Sequence, residues 1–178
     1  MSDQIKQSID NILAKEIGSK PVFFNLAESG DSEKLETLIS EGKIGRVSDD
    51  YKEQLLELFG INNPTLVHAE GFEQKFEVHL KELEEKTPLW QQGVWVYFPW
   101  SSVLTHILPE DDFHLVRTAR NQNLINKEEQ NKFYNATVGI GGLSVGSSVA
   151  LGLVLQGGAR HIKFADMDKL ALSNTNRV

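Results

Sequence analysis

A glycine-rich run at residues 139–147, Gly-Ile-Gly-Gly-Leu-Ser-Val-Gly-Ser, is the part of the sequence best suited to holding an anion. It follows a β-prone run at 135–138 and precedes small and apolar residues at 148–155, which predict a buried helix. We expect Gly139 to permit a tight turn. We expect Gly141, which has no side chain, to let a phosphate approach the backbone amides at the helix start. The order of strand, glycine turn and helix therefore predicts a phosphate-binding loop.

A second predicted strand, residues 162–165, follows the helix and ends beside two acids, Asp166 and Asp168. An acid about 20 residues beyond a glycine turn can accept hydrogen bonds from ribose hydroxyls, and the spacing from Gly146 to Asp166 fits. The two strands and the helix between them predict the opening βαβ unit of a nucleotide-binding domain. A βαβ unit with a glycine turn but no nucleotide is the alternative explanation of this pattern.

The residues from Asp166 onward make the pattern more specific. The segment 166–168, Asp-Met-Asp, and the segment 172–177, Leu-Ser-Asn-Thr-Asn-Arg, closely resemble the ThiF, MoeB and HesA adenylyltransferases, which are relatives of the ubiquitin-activating enzymes. That family typically shows a strand ending in Asp-x-Asp, followed by Leu-Ser-Asn-x-x-Arg, and its turn commonly reads Gly-x-Gly-Gly-Leu-Gly. The chain departs from that turn at Ser144. In this it is similar to a bacterial branch of the family whose members can carry long N-terminal extensions.

An arginine segment upstream supports the same resemblance. Residues 117–122, Arg-Thr-Ala-Arg-Asn-Gln, are similar to a segment that the family places before its first strand, where an arginine reaches the phosphates of ATP. Arg120 is the best counterpart of that arginine, and the resemblance covers the chain from Arg117 to Val178. Taken alone, an arginine such as Arg120 or Arg177 is more often a solvated surface charge than a phosphate ligand.

The resemblance implies ATP-dependent adenylation of a carboxylate, usually the C-terminus of a small carrier protein or peptide. It implies that Asp166 holds the ribose, that Asn174 positions nearby groups, and that Mg²⁺ accompanies ATP, with no residue of the chain assigned to the metal. It also implies a homodimer. The catalytic residues that it implies are Arg120 and Arg177, and the cofactor-binding residues are Gly139, Gly141, Gly142, Ser144, Asp166, Asp168 and Asn174.

The nucleotide unit that the sequence predicts is incomplete. In the family a lysine and a magnesium-binding aspartate lie further downstream, and two strands with one helix cannot close a doubly wound sheet. We therefore expect the chain to be an N-terminal fragment of a longer adenylyltransferase-like protein. We expect this fragment to lack adenylation activity.

Two other functions fit parts of the same sequence. A nicotinamide-dependent oxidoreductase would use the βαβ opening, with Asp166 on the adenine ribose of NAD, but no catalytic Tyr-x-x-x-Lys set is visible and residues 173–177 have no role in it. A non-enzymatic module would use residues 1–108 for protein contact and carry a vestigial nucleotide unit. Such a module should bind no nucleotide, even with downstream sequence attached.

Length and composition place the chain among ordinary globular proteins. Its 178 residues, 40% hydrophobic and 24% charged, suit one large or two small domains. The absence of cysteine excludes disulfides, thiolate zinc sites and a cysteine nucleophile. A formal net charge of −7 argues against nucleic acid as a partner. No apolar run approaches the roughly 20 residues of a membrane span, and residues 1–4 lack the pattern of a secretory signal. We therefore expect no membrane contact and a cytoplasmic location.

The fold class that we predict is α/β. An α+β domain at 1–108 precedes a helical connector at 109–134, and the opening βαβ unit of a Rossmann-like, doubly wound adenylation domain occupies 135–178. Hydrophobic periodicity and turn residues give the remaining elements. We predict helices at 4–17 (ending at Gly18), from 31 through Ile39, from 51 to Gly60, at 71–86, from 109 and at 127–133, and strands at 21–26, 93–100 and 103–108.

The aromatic strand at 93–100 admits two explanations. Trp95, Tyr97, Phe98 and Trp100 could form a stacking platform for bases or flavin, but a sheet core is favoured, because a strand of this composition needs a covered face. No metal-ligand spacing relates His68 to His79, and we predict neither as a ligand.

Overall fold

The structure, a computed structural model, describes residues 2–13, 20–28 and 30–175. The chain forms two compact units, Met1–Pro109 and Glu110–Val178. The architecture is mixed α/β, with a mixed sheet in the first unit and a parallel strand pair in the second.

The strands in the described part of the first unit form one mixed sheet and are β1 (Val22–Phe24), β2 (Arg46–Asp49), β3 (Val94–Phe98) and β4 (Val103–Ile107). Their order across the sheet is β1-β3-β4-β2. Strand β2 runs parallel to β4, and the other neighbours are antiparallel. The helices are α1 (Ser2–Leu13), α2 (Asp31–Ser40), α3 (Tyr51–Asn62) and α4 (Phe72–Lys86).

The β3–β4 hairpin contributes buried residues to the core of this sheet and confirms the strands predicted at 93–100 and 103–108. Val94 lies opposite Ile107, and Phe98 lies opposite Val103. Tyr97 is buried, and its hydroxyl donates to the carbonyl oxygen of Lys43 at 3.0 Å. The sheet-core interpretation of the aromatic strand is therefore confirmed at Tyr97, whereas Trp100 is exposed. The buried cluster consists of Phe24, Leu35, Tyr97 and Leu104, with Leu26, Leu38, Ile44 and Trp95 packed against it.

The structure differs from the prediction at the strand predicted for residues 21–26 and in the segment before α3. Strand β1 covers three residues instead of the predicted six, and within it Val22 and Phe23 are exposed whereas Phe24 is buried. Strand β2 was not predicted at all. Its residues, Arg-Val-Ser-Asp, have no strong strand pattern of their own, and parallel pairing with β4 sets their conformation.

Helix boundaries follow the predictions more closely. Helix α4 begins and ends within a residue of the predicted 71–86. Helix α3 passes through Gly60 and ends at Asn62, so the predicted stop at Gly60 was wrong. The predicted first helix is present as Ser2–Leu13, and its predicted continuation to residue 17 and stop at Gly18 lie outside the described residues.

The second unit is built around a parallel pair of strands joined by a helix. Thr137 lies opposite His161, and Gly141 lies opposite Ala165. An Asn126 capping box, in which Asn126 and Glu129 satisfy each other's backbone amides, starts the helix before the pair. The elements are α5 (Glu110–Thr118), a 3₁₀ helix (Ala119–Asn123), α6 (Lys127–Tyr134), β5 (Thr137–Gly141), α7 (Leu143–Leu155), β6 (His161–Ala165) and a 3₁₀ helix (Leu172–Asn174).

Two expectations for the glycine run were wrong. Strand β5 continues through Gly139 to Gly141, because pairing with β6 keeps both glycines extended, and the chain turns at Gly142 instead, with φ of 83°. Helix α7 is not buried in this chain. Ala150 is its one buried described residue, whereas the side chain of Val145 is 76% exposed and that of Leu155 is 69% exposed.

Close packing between α7 and β5 depends on Gly146. A Cβ atom at this position would lie 2.6 Å from the Cγ2 atom of Ile140, far inside normal contact distance. Gly146 therefore allows the close helix–strand approach that the third glycine of a nucleotide-binding turn usually allows. In the family pattern that glycine stands at the position of Ser144, two residues before Gly146.

Replacement of Gly146 by alanine should destabilise the second unit by about 1–3 kcal/mol, because α7 or Ile140 must shift to admit the methyl group. The matched control is Gly152→Ala on the same helix, where the added Cβ would meet no described atom within 4 Å beyond the neighbouring helix backbone. That change should be neutral or stabilise by up to about 1 kcal/mol. Urea denaturation followed by circular dichroism measures both, and equal effects would show that the close approach does not constrain the helix.

Candidate functional site

The glycine turn connects the carboxyl end of β5 to the amino end of α7. The backbone N–H of Gly142 donates to the carbonyl oxygen of Ala165 at 2.8 Å, which ties the turn to the end of β6. Helix α7 begins at the next residue, Leu143. The first backbone amides of α7, which have no partner within the helix, the end of β5 and the residues after β6 are thereby brought to one place.

Asp166 lies at this turn, as its position after the second predicted strand suggests. Its Oδ2 atom accepts the backbone N–H of Leu143 at 2.5 Å, and its Oδ1 atom accepts that of Asp168 at 2.8 Å. The Leu143 hydrogen bond, with a smaller contribution from the Asp168 one, lowers the pKa of the Asp166 carboxyl below its usual 3.8. An ionised carboxylate therefore lies against the positive end of the α7 dipole at neutral pH.

The Asp166 carboxylate keeps acceptor capacity in this arrangement. Each carboxylate oxygen has two lone pairs and accepts one backbone N–H here. The remaining lone pairs can accept hydroxyl protons from a ligand that lies along the turn. The same two contacts fix the carboxylate in position, which a residue that orients a ribose requires.

A cleft of about 600 Å³ opens beside the turn. Added Cβ atoms at Gly139, Gly141 and Gly142 would meet no described atom within 4 Å, so the backbone of the run is accessible from this side. The cleft is lined by Val138, Gly139, Ile140, Gly141, Gly142, Ser144, Val145, Gly146 and Val149. A volume of this size is within the range of small-molecule sites.

Other predicted site residues lie nearby in the chain, with less defined contacts. Ser144 lies in the first turn of α7, where its carbonyl oxygen accepts the Ser147 hydroxyl at 3.1 Å. Asp168 is exposed and contacts Asp166 through its backbone. Asn174 ends the 3₁₀ helix Leu172–Asn174 and is half-buried. Arg177 lies outside the described residues.

The arginine segment lies at the opposite end of α7 from the glycine turn. The guanidinium of Arg117 donates to the carbonyl oxygen of Val154, and the Asn121 amide donates to that of Gln156 at 2.9 Å. Arg120 lies between these two residues and is exposed. Because α7 spans 13 residues, the two ends are about 20 Å apart. The structure therefore does not bring Arg120 to the glycine turn.

A buried histidine in the first unit was not singled out from the sequence. His106 lies in β4 with Nδ1 2.9 Å from the Asp49 carboxylate and Nε2 2.7 Å from the Gln92 carbonyl oxygen. Its ring stacks between Tyr51 and Trp95, with centroids 4.4 and 4.3 Å away. Both ring nitrogens and both ring faces are occupied, so His106 serves the packing of the sheet. Only the pairing of β2 with β4 brings Asp49 to it.

Within the described ranges, no helix is long and apolar enough to cross a membrane. In the same part of the chain, no group of three or more histidine, aspartate or glutamate side chains is placed to hold a metal ion.

Comparison with known proteins gives one relative of unassigned function. The chain is 33% identical over 133 residues to an uncharacterized protein of Mycobacterium tuberculosis (strain CDC 1551 / Oshkosh). The match covers 73% of the chain and 19% of that protein, so the chain spans less than a fifth of the curated relative it matches. No family model and no solved structure matches the chain.

Removal of the backbone N–H group of Leu143 should raise the pKa of the Asp166 carboxyl toward 3.8, because the hydrogen bond from that group is the main cause of the lowered pKa. Leu143→Pro removes the N–H at the first position of α7, where proline is tolerated. Leu143→Ala keeps the N–H and is the matched control. A ¹³C NMR titration of the Asp166 carboxyl measures both pKa values.

The sign of the pH effect follows from the lowered pKa. The contact stabilises the fold above the pKa of Asp166 in the unfolded chain, and this stabilisation is lost as pH falls through the lower value of the folded state. An unchanged Asp166 pKa in Leu143→Pro would contradict the assigned cause.

Proposed function

We propose that residues 110–178 form the opening part of the nucleotide-binding unit of an ATP-dependent adenylyltransferase that resembles the ThiF, MoeB and HesA family. One observation carries the proposal: the parallel β5–α7–β6 arrangement brings an open glycine backbone, the start of α7 and the ionised Asp166 to one point. Doubly wound α/β folds bind nucleotides at the carboxyl ends of their strands, at such turns.

In this proposal the turn holds ATP by its backbone. The triphosphate lies along Gly141 and Gly142, against the amides at the start of α7. The ribose hydroxyls donate to the free lone pairs of Asp166, and Mg²⁺ enters with ATP. Ser144, Asp168 and Asn174 line the remaining approach to the nucleotide.

The reaction that we propose is attack by a carboxylate, the C-terminus of a small carrier protein or peptide, on the α-phosphorus of ATP. The new bond joins a carboxylate oxygen to that phosphorus, and the bond to the β-phosphate oxygen breaks, giving an acyl-adenylate and pyrophosphate. The protein supplies alignment and neutralises the charge that develops on the phosphates. We assign the latter role to Arg177, since Arg120 lies at the other end of α7.

We further propose that the unit is completed by additional strands and helices in a longer protein. A parallel sheet is covered on both faces in nearly all known folds. Here the apolar side chains of Val145, Leu155 and Phe164 are all more than half exposed. The relative from Mycobacterium tuberculosis is also several times longer than the matched segment. The chain by itself should therefore bind nucleotide without catalysing adenylation.

Parallel calorimetric titrations with ATP plus Mg²⁺ and with NADH test the assignment. We expect saturable binding of ATP and none of NADH. Asp166→Asn should weaken ATP binding about tenfold or more, because one carboxylate oxygen becomes an amide nitrogen that cannot accept a hydrogen bond. Glu128→Gln, an exposed charge on α6, is the control and should leave binding unchanged.

Two results would overturn the proposal. Selective binding of NADH would favour an oxidoreductase that uses the same turn. Failure of both nucleotides to bind, in this chain and in the longer natural protein, would favour a protein-interaction module with a vestigial turn.

A further inference from the structure

A second cavity in the unit Glu110–Val178 lies apart from the glycine turn, and its lining shares no residue with the cleft beside that turn. It has a volume of about 480 Å³ and lies among α5, the 3₁₀ helix Ala119–Asn123, α6 and the residue before β6. This volume is within the range of sites that hold small molecules. Nothing in the proposed reaction uses it.

The walls of this cavity are held by hydrogen bonds among themselves. The buried Gln130 amide donates to the Gly157 carbonyl oxygen at 3.0 Å and accepts from the Asn121 amide at 2.8 Å. On another side, one Glu110 oxygen accepts the Tyr134 hydroxyl at 2.8 Å and pairs with Arg160 at 2.8 Å. The side of the wall that contains the buried Gln130 is thereby held in place before a ligand binds, which reduces the side-chain entropy lost on binding.

The cavity is lined by both acidic and basic side chains, and the two kinds come from different elements. Asp111 and Asp112 come from the first turn of α5. Lys127 begins α6, and Arg160 directly precedes β6. One guanidinium nitrogen of Arg160 pairs with Glu110, and the other N–H groups of the guanidinium can donate to a ligand. Lys127 also lies at the positive end of the α6 dipole, which favours an anionic group there.

His114 supplies an uncommitted polar group in the same wall. Its ring contacts that of Tyr134, with centroids 3.9 Å apart. Its Nε2 atom is the buried side-chain nitrogen that finds no hydrogen-bond partner among the described residues, an uncommon situation in folded proteins. Burial, and secondarily Arg117, lowers the pKa of His114, so the ring is neutral at neutral pH.

We propose that this cavity binds a small zwitterion, a free α-amino acid or dipeptide. Lys127 and Arg160 bind its carboxylate, and Asp111 and Asp112 bind its ammonium group. A simple anion or a simple amine would leave one pair of charges unmatched, whereas a zwitterion matches both.

The zwitterion site is separate from the glycine turn. Arg160 precedes β6 and Asp166 follows it, so the length of the strand, about 17 Å, separates the two. A ligand in the cavity cannot deliver its carboxylate to a nucleotide at the turn. Its binding therefore does not depend on the proposed adenylation.

Thermal-shift and calorimetric titrations of the 178-residue chain with each of the twenty L-amino acids and with glycylglycine test the site. We expect at least one of these probes to bind saturably. Its methyl ester and its N-acetyl derivative, which each lack one charge, should bind at least about tenfold more weakly. Lys127→Gln should weaken binding about tenfold. The control Lys132→Gln removes a lysine of the same helix that does not line the cavity, and it should change nothing.

Three results would overturn the proposal. The first is that none of the probes binds more tightly than about 1 mM. The second is that the methyl ester and the N-acetyl derivative bind as tightly as the unmodified compound, which would show that the two charges are not recognised. The third is equal binding by Lys127→Gln and the wild-type chain, which would place the ligand elsewhere. If Lys127→Gln does not fold, Asp112→Asn serves as a second variant, since it removes a carboxylate that binds the ammonium group and should also weaken binding.

Discussion

The parallel pairing of β5 with β6 is the constraint from which the rest of the second unit follows. Parallel neighbours cannot be joined by a tight hairpin, so a helix must carry the chain back along the sheet. Gly142 makes the reversal into that helix, and Gly146 lets the helix lie close to β5. Asp166, the first residue after β6, then meets the amide of Leu143. The geometry of the site is thus a consequence of strand direction.

The same constraint explains the apolar surface of this unit. Helix α7 consists almost wholly of small and apolar residues, a composition typical of a helix that is packed against other elements on all of its faces. In the described residues it packs on one strand pair, and Val145 and Leu155 face outward. The composition thus fits a sheet with more strands, in keeping with the proposed longer protein.

Prediction from the sequence succeeded where a signal was local. The β3–β4 hairpin, helix α4 and the order of strand, turn, helix and strand after residue 135 all came from short-range patterns. Prediction failed where pairing with a strand distant in sequence determines the local conformation. Pairing with β4 makes a strand of 46–49, and pairing with β6 moves the turn from Gly139 to Gly142. The position of Arg120 could not be predicted, because only the folded α7 shows which of its ends the arginine segment contacts.

The most direct test of the account is an amide chemical-shift map of the ¹⁵N-labelled chain with ATP and Mg²⁺ added. If the glycine turn holds the nucleotide, the amides of Gly141, Gly142 and Leu143 shift most, while those of the first unit stay unchanged. The Leu143 amide should also report the change at Asp166, since the two share a hydrogen bond. Shifts confined to residues 117–122, or an unchanged turn at saturating ATP, would contradict the account.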